Sequence, residues 1–85
     1  MLVKHEAVTV WTAESIPRRL LWRGTSYAVT DNPTPIHGHI PEAPTHPLQP
    51  RIGWRFQGTS DAGDTHVFDV RQSGRLEWEL IAIYD

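Results

Sequence analysis

The sequence predicts an all-β fold: one small antiparallel β-domain, a partly open barrel of five or six strands resembling an SH3-like roll or a meander. Three observations predict it. Short runs of β-branched and aromatic residues recur at 20–24, 27–29, 54–56, 67–70 and 78–80, and such residues suit a pleated, half-buried surface. Glycine- or proline-bearing turns separate the runs at short intervals. Helical periodicity is poor throughout, and the nearest helix-like window, 12–21, is broken by Pro17.

Residues 7–12 (Ala-Val-Thr-Val-Trp-Thr) form the first predicted strand. Glu14, Ser15, Ile16 and Pro17 end it, because Pro17 cannot donate to a ladder and biases Ile16 towards extended backbone. Residues 18–23 form the second strand, with Leu20 and Trp22 on one face and Leu21 and Arg23 on the other. Gly24 and Thr25 make a turn, and residues 26–30 form a third strand with Tyr27 and Val29 sharing a face. Residues 31–50 differ in kind. They hold Pro33, Pro35, Pro41, Pro44, Pro47 and Pro50, six of the seven prolines, a density that no regular helix or central strand tolerates. A proline-rich loop is expected there, in polyproline II or as an excursion of the kind that usually serves function.

Strand four is expected at 52–57, with Trp54 and Phe56 facing one way. Residues 58–64 are turn-rich, 66–71 form strand five, and Gln72, Ser73, Gly74 and Arg75 make a hairpin turn into a last strand at 76–84. In that strand Leu76, Trp78, Leu80 and Ala82 alternate with Glu77, Glu79, Ile81 and Ile83. The second set turns from acidic to apolar halfway, so its face leaves solvent, as in a barrel or a bent sheet. The predicted core is Val8, Leu20, Trp22, Tyr27, Val29, Trp54, Phe56, Phe68, Val70, Trp78, Leu80 and Ile83.

Eighty-five residues make one domain, spanning 1–85, and a chain this short buries only about 60–65% of its unfolded surface. The absence of cysteine excludes disulfides and thiolate metal sites and suits a reducing cytoplasm. No secretory leader or membrane-spanning segment is expected from the hydropathy pattern. The net charge of −2 argues against a dominant polyanionic partner, yet it is unevenly spread. Residues 1–30 carry four cations against two carboxylates, and residues 61–85 carry two cations against six.

Arg18, Arg19 and Arg23, with Arg51 and Arg55, form the strongest basic group, and Trp22, Tyr27 and Trp54 lie nearby in sequence. Basic residues interleaved with aromatics hold single-stranded nucleic acid by phosphate contact and base stacking. The plainer reading is that these aromatics are core, since a small domain needs their buried area. Trp11, beside the polar Thr9, is the tryptophan expected at the surface. His37, His39 and His46 place three imidazoles within ten residues, a weak metal-ligand set with no acidic or cysteine partner at suitable spacing. Solvated loop histidines are the simpler reading. Asp64, Thr65 and His66 with Asp69 suggest a carboxylate-oriented base, but strand alternation points His66 and Asp69 to opposite faces. Ser26, Ser60 and Ser73 lack a strand-to-helix elbow, and no glycine-rich phosphate loop is present. No cofactor is implied, and the chain is expected not to be an enzyme.

The run Pro17-Arg18-Arg19-Leu20-Leu21-Trp22-Arg23-Gly24, then Tyr27 and Val29, Trp54-Arg55-Phe56, Val67-Phe68-Asp69-Val70, Trp78-Glu79-Leu80 and terminal Asp85 resembles a family of small actinobacterial proteins of unknown function. Related segments resemble the C-terminal extension of some actinobacterial Y-family polymerase-like proteins of mutagenic repair. The resemblance covers the chain from about residue 7 onward, outside the loop. It implies a neighbourhood in DNA-damage tolerance and transfers no catalytic residue. The chain departs from the family at 31–50, where members carry a tryptophan-rich stretch and this sequence has no aromatic residue. The expectation is therefore a cytoplasmic, non-catalytic module that binds another protein. Single-stranded nucleic-acid binding through the arginine–aromatic face is the alternative, and an exposed edge strand equally allows a homodimer.

Overall fold

The computed structural model describes residues 2–37 and 51–84, and side chains within 5–36 and 53–84. Seven strands run in chain order: β1 (Leu2–Ala13), β2 (Ile16–Trp22), β3 (Thr25–Val29), β4 (Thr34–His37), β5 (Arg51–Ser60), β6 (Thr65–Gln72) and β7 (Trp78–Tyr84). All pairings are antiparallel, in the order β3-β2-β1-β7-β6-β5-β4. A further pairing of β3 with β5, through Tyr27–Ser60, Ala28–Thr59 and Val29–Gly58, joins the sheet to itself. The expected small antiparallel barrel is present, and it closes with six strands while β4 lies outside the circle. No helix occurs among the described residues.

Closure depends on strands that change partner along their length. The amino-terminal part of β1 pairs with β7 and its carboxy-terminal part with β2. The end of β5 pairs with β3 and its beginning with β4. Bulges also interrupt the ladders and bend the strands. Arg18 is the extra residue where Trp11 pairs with Arg19 but Thr12 pairs with Pro17. Ile81 is another: it stands between Leu80 and Ala82 with no partner in either ladder. That extra residue reverses the alternation of β7, so Trp78 and Leu80 face the core and Ile83 then does too. The acid-to-apolar change in this strand therefore has a local cause.

Two two-residue hairpins set the register. Ala13 pairs with Ile16 around Glu14 and Ser15 (φ 54° and 67°), and Trp22 pairs with Thr25 around Arg23 and Gly24 (φ 50° and 78°). Positive φ at both central residues is the turn geometry that matches the strand twist. The first turn is thus Glu14-Ser15, and Ile16 and Pro17 already belong to β2. Within the segment expected to be loop, Thr34–His37 forms β4 instead. Pro35 is tolerated there because, among the described residues, β4 has a neighbour on one side only. Between β3 and β4 the Thr30 N–H donates to the Gln57 carbonyl, and the Gln57 N–H donates to Asp31 Oδ1. A side chain thereby replaces the missing ladder partner.

The core is Leu20, Tyr27, Phe56, Phe68, Val70, Trp78, Leu80 and Ile83, with Val8, Val10, Trp22, Val29 and Trp54 packed against it. All twelve expected core positions lie in this set. Phe68 is its hub, with ring centroids 5.0 Å from Tyr27, 5.9 Å from Phe56 and 6.1 Å from Trp22. Gly58 permits the seam: a Cβ there would sit 2.9 Å from a Phe68 ring carbon and 3.1 Å from the Tyr27 Cβ.

Candidate functional site

Alternation along β1 and β2 turns one set of side chains away from the barrel. Trp11 faces outward opposite Arg19, and Thr9 opposite Leu21. Trp11 is 48% exposed and Leu21 36%, so the two form a diagonal apolar pair across the ladder. Arg19 lies exposed beside them, its Nη1 donating to Ser26 Oγ at 2.8 Å. Arg18, in the bulge, is also exposed. The structure thus brings Trp11, Arg18 and Arg19 together on one outer face. Leu21 belongs to that face too, and only the Leu20/Leu21 alternation hinted at it.

Arg23 and Arg55 are engaged elsewhere. Arg23 donates to both oxygens of Glu6 (3.0 and 3.1 Å), and the Trp22 indole N–H donates to the same carboxylate at 2.8 Å. The guanidinium carbon lies 5.0 Å from the Trp22 ring centroid, and the Glu6 hydrogen bond and charge raise the Arg23 pKa. Arg55 donates bidentately to Asp69 at 2.7 and 2.9 Å. Tyr84 completes that group: its hydroxyl donates to Asp69 Oδ2 at 2.9 Å, and its ring lies 5.0 Å from the Arg55 guanidinium carbon. The hydrogen bond to Asp69 raises the pKa of Arg55, and Tyr84's own hydrogen bond to Asp69, followed by burial, raises that of Tyr84. A side-chain pairing of this kind fixes β5, β6 and β7 to one another. The five arginines expected as one basic face are therefore not gathered, and Trp22 and Trp54 pack against the core.

Arg51 opens β5, where its backbone pairs with His37; its side chain lies outside the described residues. His37 is placed by its backbone in β4, and His39 and His46 lie outside the described residues. Among the described residues no group of three potential metal ligands assembles. Asp69, expected near His66 in sequence, is committed to Arg55, while the His66 ring packs edge-on against Tyr27 and Phe68. Asp64 closes the β5–β6 turn, its N–H donating to Ser60 Oγ at 3.1 Å.

The two ends of the barrel differ. At one, Trp22 packs edge-on against Phe68 and is held by Glu6 and Arg23. At the other a cavity of about 270 Å³ opens, walled by Val10, Trp54 and Trp78. Its rim is Thr12 and Ser15 from the β1–β2 hairpin and Gln72, Arg75 and Leu76 from the β6–β7 hairpin. Leu76 is 90% exposed. Sequence reasoning missed this mouth, because its wall and rim come from β1, β5, β7 and two separate hairpins. The last strand, expected from Leu76, begins only at Trp78.

The fold and these surfaces define a small closed antiparallel β-barrel with one stopped end, one open aromatic mouth and an exposed tryptophan on its flank. Compared with known protein families, curated proteins and solved structures, the chain matches none, so the family resemblance stays with the motifs that carry it. No helix among the described residues is long and apolar enough to cross a membrane.

Proposed function

We propose that this domain is a non-catalytic interaction module whose partner is another protein, gripped through the outer face of β1 and β2. The observation that carries the reading is the exposed Trp11–Leu21 pair with Arg18 and Arg19 beside it. Tryptophan and arginine are the side chains that most often dominate binding energy when a partner excludes water from them. The resemblance puts proteins of DNA-damage tolerance first among partners to try. Nucleic-acid binding is the less favoured alternative, because Arg23 and Arg55 already hold carboxylates.

The test is site-specific photocrosslinking in the native cells, with a benzophenone amino acid replacing Trp11 and, as control, Arg71 on the far side of the barrel. The expected result is a discrete protein adduct from position 11 that is absent from position 71. Adducts to nucleic acid alone would overturn the protein-partner reading and favour the alternative.

A further inference from the structure

We infer that the partner gripped by the outer face of β1 and β2 presents an acidic segment, in which carboxylates neighbour the apolar side chains that cover Trp11 and Leu21. The inference rests on the interaction-module reading and adds the partner's chemistry to it.

The charge of this face is one-sided. Across β1, β2 and β3 the only acidic residue is Glu6, and its carboxylate is taken by the Trp22 indole and by Arg23. Arg18 and Arg19 are both exposed. Arg23, Arg55 and Arg71 each hold a carboxylate. Among the described residues no carboxylate pairs with Arg18 or Arg19, and Arg19 donates to the uncharged Ser26 hydroxyl. Two acids lie at the margins, outside the three strands. Glu14 sits in the β1–β2 turn, past the closing pair Ala13–Ile16. Asp31, beyond the end of β3, accepts the Gln57 N–H. Neither forms an ion pair with this face, so a segment laid across the strands meets two unengaged guanidinium groups.

The same strands fix what must stand beside the carboxylates. Leu21 lies between Thr9 and Ser26, and Arg19 between Trp11 and Ala28. Small neighbours leave Trp11 and Leu21 raised above the sheet, as apolar area that a partner removes from water. Arg19 is directly across the ladder from Trp11, about 4.5–5.5 Å away at the β-carbon. The group that covers the indole and the group that meets the guanidinium are therefore neighbours on the partner. A carboxylate suits the planar fork of arginine. Nucleic acid calls for a longer cationic track, and Trp22 and Trp54 pack against the core instead of offering a stacking platform here.

The experiment is an amide, methyl and indole NMR titration of the full chain with acetyl-Gly-Asp-Leu-Asp-Phe-Asp-Gly-amide. Two control peptides carry asparagine or lysine in place of every aspartate. The acidic peptide is expected to give saturable shifts at the Trp11 indole, the Leu21 methyls and the Arg18 and Arg19 amides, weakening as salt is raised. The asparagine peptide should bind about fivefold or more weakly, and the lysine peptide not at all. Arg18→Gln with Arg19→Gln should weaken the acidic peptide about tenfold, the scale of two exposed charge pairs, with the rest of the spectrum in place. Arg18→Glu with Arg19→Glu should transfer the preference to the lysine peptide. Equal binding of the acidic and asparagine peptides, binding indifferent to the arginine replacements, or no saturable shift on this face overturns the inference. If position 11 still crosslinks to a protein, any of these leaves the proposed function standing; if it does not, both fall. An oligothymidylate that moves the same residues at lower concentration than the acidic peptide overturns the inference in favour of nucleic acid.

Discussion

Phe68 touches the rings of Trp22, Tyr27, Phe56 and His66 and is fully buried. Truncating such a hub loses both transfer energy and packing. Phe68→Ala is expected to cost about 3–5 kcal/mol, against a total of about 4–13 kcal/mol for a chain of this length. Phe68→Leu should cost clearly less, and urea unfolding midpoints measure both. The Arg55–Asp69 pair is asymmetric: the Asp69 side chain is 9% exposed and that of Arg55 50%. Arg55→Ala strands a buried carboxylate, and we expect a loss of about 1–3 kcal/mol, below the fully buried case because water reaches Arg55. The Arg55→Leu/Asp69→Leu double variant should cost less than the two single changes summed. Tyr27 and Tyr84 both have pKa values above the ordinary tyrosine value, Tyr27 mainly through burial and Tyr84 mainly through its bond to Asp69. The folded state therefore keeps these protons longer than the unfolded chain. The stabilisation is complete below about pH 10 and is lost as pH rises through the folded values. Melting temperature should fall above about pH 10, and Tyr84→Phe should soften that fall.

At the scale of the element, the β1–β2 hairpin holds two non-glycine residues at positive φ, Glu14 and Ser15. Asparagine and glycine are the residues this turn favours. Glu14→Asn with Ser15→Gly is expected to stabilise the domain by about 0.5–1.5 kcal/mol, read as a higher melting temperature with unchanged strand shifts. The same turn shows where the sequence was legible. Pro17 announces a boundary, but the chain turns before Ile16 and Pro17 itself is buried in β2. Tertiary closure, which no local signal carries, decides that shift. Core positions were readable because period-two alternation survives wherever one face is covered, as at Leu20, Phe56 and Phe68. The bulge at Ile81 showed only indirectly, as acidic residues giving way to apolar ones. β4 was hidden because Pro35 argues against a strand, and only an edge position permits it. The outer face was legible at Trp11 through Thr9. The mouth was not, since it exists only once β1, β5 and the β6–β7 hairpin meet.

For the whole molecule, the β3–β5 seam is short, three residue pairs against six between β5 and β6. The circle should therefore open there first when the domain breathes. Native-state hydrogen exchange is expected to find the slowest amides in β6, held on both sides, and faster exchange in β4. Gly58→Ala places a methyl group against Phe68 and Tyr27 at the seam. It should accelerate exchange in β3 more than in β7.

His37 and Arg51 sit opposite each other as neighbours in one ladder, so the two ends of the described chain meet at a single point. The entropy of closing a loop between two such neighbours grows only with the logarithm of its length. Exchanging residues 38–50 for a short glycine-rich turn should leave the melting temperature within a few degrees. Sequence between two such neighbours can change in length and composition at little cost to the strands that hold its ends.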